Sequence, residues 1–307
     1  MSDNDGMNRR RRRRPFALLA VTAALAGTAC SGSTDPGSNG PRPGRPAVLD
    51  GELGSASLSG PGAVAVADAG LDRAPRYDLR ATVEPETGEI DATMVAELPL
   101  VANGSPLRFR VFPNLPAFDA GFTLHDVLVD GMAAEADLDR SLLSLDVPSG
   151  SDRARVTVEL AFSYTVPSTD LTTDLLASFA GNALNPAEIG LLGRHPGGAS
   201  LGHWFPIWME PGATAEPEPD GFGDIANFPA AMFSATVDVP DDWEVFTGGK
   251  TVDRRDEGGR ATYHEEGIGL RDLSIYAGRD VETTVVDVDG VTVRPSVRPT
   301  TPRCSLR

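Results

Sequence analysis

The chain has 307 residues, 27 Lys and Arg against 44 Asp and Glu, a formal net charge of −17, and two cysteines. That acidic excess argues against nucleic acid and against electrostatic adsorption to anionic lipid, both of which want clustered cations. Two cysteines make no disulfide framework, so stability must come from a hydrophobic core, for which the length is ample.

Six consecutive arginines, Arg9 to Arg14, are followed by Pro15 and an uncharged, mostly apolar run from Phe16 to Ala29. A basic start, a short apolar stretch and the small residues Ala26-Gly27-Thr28-Ala29 form a secretory signal over residues 1–29. The run is shorter than the ~20 residues that span a bilayer. Cys30, followed by Ser31-Gly32-Ser33-Thr34, resembles the lipobox of bacterial lipoproteins, although Gly27 departs from that pattern. The resemblance implies acylation of Cys30, an anchor in the cell membrane and an extracytoplasmic location. Ordinary secretion with a free Cys30 is the alternative. Removing residues 1–29 leaves 21 basic against 42 acidic residues, so membrane attachment would come from acyl chains rather than from the protein surface.

Residues 30–70 read as a flexible tether and lead-in, with Ser31 to Pro46 rich in Gly, Pro and Ser. From Leu71 the pattern has period two. Tyr77 to Val83 alternates, Glu84 to Gly88 turns, and Ile90, Ala92, Met94, Ala96 and Leu98 line one face of a long second strand. Further strands are expected over 107–112, 123–129, 142–147, 155–166, 232–239, 243–246, 273–277 and 281–293. Asp130-Gly131 and Asp289-Gly290 sit between alternating runs and predict hairpins. Only Leu171 to Ala183 reads as helical. The pattern predicts an all-β fold, an antiparallel β-sandwich or open barrel with few short helices. Residues 294–307 are basic and proline-rich on an acidic chain, and are expected to be an irregular tail from a changed reading frame or a cut end, with a disordered natural tail as the alternative.

Several motifs carry chemistry on paper. Gly198-Ala199-Ser200-Leu201-Gly202 matches the G-x-S-x-G elbow of serine hydrolases, with His264 and several Asp to recruit. The glycines and prolines around it argue against the strand before and the helix after that an elbow needs. His264-Glu265-Glu266-Gly267-Ile268 starts a zincin pattern and then places Ile where the second imidazole belongs. His195 and His203 flank a Gly/Pro loop and read as ordinary loop histidines. Asp287-Val288-Asp289-Gly290 lacks the further acidic ligands of a calcium loop. The segment His203-Trp204-Phe205-Pro206-Ile207-Trp208 concentrates aromatic surface. It is either a plug in a sandwich edge or a partner or substrate-cleft surface formed by His203, Trp204, Phe205 and Trp208.

Taken in order, Tyr77-Asp78-Leu79, Leu107 to Asn114, Leu201 to Pro206, Asp220 to Asp224, Phe233 to Pro240, Thr247 to Gly249 and Leu270 to Ser274 resemble the N-terminal β domain of the aminopeptidase N family of zinc metallopeptidases, particularly its secreted actinobacterial lipoprotein members. The resemblance covers residues 71–293 and implies a saddle-shaped open sheet. In that family an HExxH helix, a distal Glu and a G-x-M-E-N strand lie in the next domain. Trp208-Met209-Glu210-Pro211 only echoes the last of these. The resemblance therefore implies no catalytic residue and no metal ligand here, with zinc expected only where a catalytic domain follows. The expected partners are the membrane through Cys30, a catalytic domain or a peptide, and no nucleic acid. A stand-alone peptide- or partner-binding lipoprotein is the alternative, and an esterase built on Ser200 is a third reading.

Overall fold

The computed structural model describes residues 74–99, 106–147, 154–169, 191–213, 215–218, 228–284, 286–288, 291–293 and 296–297. All lie in one compact unit, Pro43–Arg307. The expected signal segment and tether, Cys30, the expected helix over 171–183 and residues 220–224 lie outside the described residues.

The strands are β1 (Arg76–Glu84), β2 (Glu89–Pro99), β3 (Leu107–Arg110), β4 (Thr123–Val129), β5 (Met132–Ala133), β6 (Ala136–Asp139), β7 (Leu142–Leu145), β8 (Arg155–Thr165), β9 (Leu192–His195) and β10 (Gly198–Leu201). They continue as β11 (Ile207–Trp208), β12 (Ala231–Pro240), β13 (Glu244–Thr247), β14 (Lys250–Glu257), β15 (Arg260–Leu270), β16 (Ile275–Gly278), β17 (Glu282–Thr283), β18 (Val286–Val288), β19 (Val291–Val293) and β20 (Ser296–Val297). The protein is all-β. One sheet of eight strands runs β14-β15-β12-β1-β2-β8-β4-β5, and two four-stranded sheets run β13-β16-β10-β9 and β11-β3-β7-β6.

Alternation explains the layering. Along β2 the buried residues are Ile90, Ala92, Met94, Ala96 and Leu98, each separated by a more exposed one. β8 repeats the pattern with Val156, Val158, Leu160, Phe162 and Tyr164. Those faces share a hydrophobic cluster with Phe109, Leu143 and Leu145 of one small sheet and with Leu192, Leu201, Ile275 and Ala277 of the other. One face of the large sheet and the two small sheets thus enclose a single core, which is the sandwich arrangement.

Four features differ from the sequence reading. β1 pairs in parallel with β12, in register from Arg76↔Met232 to Thr82↔Asp238, so the large sheet is mixed rather than purely antiparallel. The expected strand over 107–112 stops at Arg110 and becomes a 3-10 turn at Phe112–Asn114, where Pro113 cannot donate to a ladder. The expected strand over 281–293 is divided into β17, β18 and β19, and Val288↔Val291 pair across the two-residue Asp289-Gly290 step. Ser296–Val297, in the stretch expected to be irregular, pairs with β17. The Asp130-Gly131 hairpin forms as expected. Val129 faces Met132, with φ of 53° at Asp130 and 76° at Gly131, the left-handed pair that a tight hairpin demands.

Candidate interaction surface

The aromatic segment begins where β10 ends. Gly202 and His203 make a sharp corner, and His203 holds a left-handed φ of 51°. A non-glycine residue there is strained. Asp272 offsets that strain, since its Oδ2 accepts the His203 backbone N–H at 3.0 Å. The Ser274 hydroxyl donates to the same oxygen, and His203 Nδ1 lies 3.3 Å from it. The imidazole stacks on Phe112 at 4.3 Å and meets the edge of Phe228 at 5.7 Å.

Beyond His203 the chain turns inward. Trp204 and Phe205 are fully buried, and Trp208 nearly so. Trp204 Nε1 donates to the Leu273 carbonyl at 2.9 Å, and the Tyr164 hydroxyl donates to the Trp204 carbonyl at 2.9 Å. Phe205 packs against Tyr77 at 5.5 Å and Phe233 at 5.9 Å. Burial raises the Tyr77 phenol well above its ordinary pKa. Tyr164 rises for the same reason, with nearby Asp272 adding to it. The expectation of a contact surface formed by Trp204, Phe205 and Trp208 is therefore corrected to the plug reading. Trp204 and Phe205 meet non-local partners, Trp208 belongs to the same buried cluster, and His203 alone of the four keeps partial exposure.

Ser200 lies within strand β10, opposite Gly193 on β9 and Tyr276 on β16. The sequence reading that no strand carries this serine is corrected, because the glycines here serve close packing rather than a loop. A Cβ on Gly198 would meet the His195 ring at 2.3 Å and the Tyr276 hydroxyl at 2.8 Å. The chain then turns at Gly202 rather than entering a helix, so the elbow geometry is absent. His264 sits on β15 in the large sheet, paired with Thr236 and Asp253, whereas Ser200 belongs to a four-stranded sheet. Among the described residues no three His, Cys, Asp or Glu side chains are grouped so as to hold a metal ion.

Among the described residues, two depressions bear on function. One, of about 340 Å³, is lined by Leu191, Ser200, Phe246, Thr247, Ser274 and Tyr276 together with neighbouring apolar and glycine residues. The rings of Phe246 and Tyr276 stand 6.3 Å apart beside it. Among the described residues no charged side chain lines this groove, which sequence reasoning missed because its residues come from three separate strands. The other, of about 470 Å³, is acidic and hydroxyl-rich, lined by Glu84, Glu89, Asp91, Thr82, Ser163 and Thr165 among others. His125, at a bulge in β4, contacts the Ser163 hydroxyl through Nε2 at 2.7 Å.

The chain is similar to solved structures of M1 zinc metallopeptidases. One, from Deinococcus radiodurans, has 15% identity over 73% of this chain and 47% of its own, with a TM-score of 0.48. A variant from the same organism bound to a Tyr-Ser-Ala substrate has 14% identity, 76% and 51% coverage, and a TM-score of 0.48. A two-domain M1 zinc metallopeptidase variant bound to L-arginine has 14% identity, 73% and 47% coverage, and a TM-score of 0.47. The chain spans about half the length of these proteins. It matches no protein-family model and no curated protein.

Proposed function

We propose that this chain is a lipid-anchored, extracytoplasmic β module of the kind that stands before the zinc domain in aminopeptidase N proteins, and that it performs no peptide-bond chemistry itself. One observation carries the reading. Several of the described motifs behind the resemblance are packing elements. Tyr77 stacks on Phe233 at 5.1 Å, Trp204 and Phe205 fill the core between them and Leu273, and Asp272 holds the corner at His203. Packing within a β domain accounts for these described motif residues, and among the described residues no three His, Cys, Asp or Glu side chains group to hold a metal ion.

The export half of the reading rests on residues 1–30: the arginine run, the apolar stretch and Cys30. Metabolic labelling with an alkyne fatty acid tests it. The account expects label on the full chain, lost in Cys30→Ala, with that variant released from the membrane fraction. Unlabelled wild-type protein in the soluble fraction would overturn the anchor and leave ordinary secretion.

The second reading, a stand-alone binding lipoprotein, no longer has the aromatic segment as its surface. The uncharged groove beside Phe246 and Tyr276 is the feature that favours it.

A further inference from the structure

Ser200 lacks the elbow of a serine hydrolase, but a second serine meets a histidine directly. Ser163 is half-buried on β8, with Asp91 of β2 opposite it on one side and Thr123 of β4 on the other. Between Leu124 and Asp126 the register of β4 against β8 shifts, and His125 is the extra residue of that bulge. A bulge re-aims a side chain. Here it brings His125 Nε2 to 2.7 Å from Ser163 Oγ. In the tautomer protonated at Nδ1, Nε2 accepts the Ser163 O–H, which sets a nucleophile beside its base.

The pair opens onto room for a substrate. Ser163 lines the depression of about 470 Å³, a size typical of small-molecule sites. Thr82 and Thr165 contribute hydroxyls to it, and Glu84, Glu89 and Asp91 contribute carboxylates. Glu84 is held by Arg260 at 2.5 Å, whereas Glu89 and Asp91 make no ion pair among the described residues. Among the described residues no Lys or Arg lines the depression. Two uncompensated carboxylates beside the nucleophile attract a cation and repel an anion.

We propose that Ser163 and His125 form a nucleophile–base pair that hydrolyses small esters carrying a positive charge. Ser163 Oγ attacks the acyl carbon and its proton passes to His125 Nε2. The bond from the acyl carbon to the leaving oxygen then breaks, and that oxygen takes the proton as the alcohol departs. Water attacks the acyl-serine and gives a proton to Nε2, which returns it to Ser163 Oγ as the acid is released. One ester and one water are consumed. Asp91 and Glu89 favour the cationic substrate and the imidazolium that forms in each half. Among the described residues no third group bonds to His125 Nδ1, so the gain belongs at the lower end of general-base assistance, about 10²-fold. Neither lipidation nor any relation to peptidases enters this chemistry.

The test uses the purified full chain with acetylcholine and its uncharged isostere 3,3-dimethylbutyl acetate, hydrolysis being followed by proton NMR against buffer alone. Acetylcholine should be hydrolysed about 10²-fold faster than in buffer. The isostere should be slower by about five-fold, the worth of one nearby carboxylate in water. Ser163→Ala and His125→Gln should each abolish turnover at unchanged melting temperature, and Asp91→Asn should narrow the gap between the two esters. Diisopropyl fluorophosphate on the wild-type protein, with peptide mass mapping, should label Ser163, and this result decides the matter even where a variant misfolds. No turnover above buffer, turnover that survives Ser163→Ala or His125→Gln, or label absent from Ser163 would overturn the pair. Equal rates on the two esters would overturn the cationic substrate class.

Discussion

The Tyr77 hydroxyl accepts the backbone N–H of Trp208 at 3.1 Å, across 131 residues of sequence. Tyr77 also stacks on Phe233 at 5.1 Å, so one side chain joins β1, β12 and the end of the aromatic segment. Tyr77→Phe keeps the ring and leaves a buried N–H without its acceptor. A loss of about 1–3 kcal/mol is expected, the usual cost of an unsatisfied buried donor. Urea unfolding of the two proteins, with unchanged m-value, measures it.

Asp78 is the next residue on β1 and is buried on the opposite face. Burial lifts its carboxyl from an ordinary 3.8 to about 6, with Arg80 opposing part of the rise. The folded state therefore holds this proton when the unfolded chain has released it. Stability from this group declines as pH rises from about 4 to 6, and the full penalty applies above that. Asp78→Asn should remove the decline and gain on the order of 1–2 kcal/mol at neutral pH. Chemical denaturation at pH 4 and pH 7 checks this, and a variant with the same pH slope as wild type would refute it.

Arg110 is buried, and among the described residues its hydrogen bonds go to a hydroxyl and a carbonyl rather than to a carboxylate. Its Nη1 donates to Ser141 Oγ and to the Glu216 carbonyl, each at 2.7 Å. Ser141 in turn donates to the Pro217 carbonyl, and Arg140 pairs with Glu218. Burial lowers the Arg110 pKa, partly offset by Glu216, yet the guanidinium pins residues 216–218 onto the small sheet. Arg110→Met fills the space and strips these acceptors. The expected cost is about 1–3 kcal/mol, with faster hydrogen exchange at Ser141 and Glu218.

The long strands were readable because their faces repeat every second residue. Ile90 to Leu98 needs no tertiary knowledge to be seen as one buried stripe. β9 and β10 were not readable, because Gly193 and Gly198 serve neighbours distant in sequence: Thr169 would lie 2.5 Å from a Cβ at Gly193, and Tyr276 overlies Gly198. Locally such glycines look like loop residues. β14 carries charge on both faces because it is an edge, so it has no apolar stripe to find. The parallel β1–β12 pairing joins segments more than a hundred residues apart, which no local pattern encodes. For the aromatic segment the composition allowed plug or surface, and it is distant partners such as Tyr77, Tyr164, Phe233 and Leu273 that close the core over it.

On the proposed function, these 307 residues form a β module without peptidase chemistry of its own. The most direct test is to incubate the purified full chain with zinc and the p-nitroanilides of leucine, alanine and arginine. The account predicts no zinc-dependent release of p-nitroaniline. Chelator-sensitive turnover that tracks this chain through purification would contradict it.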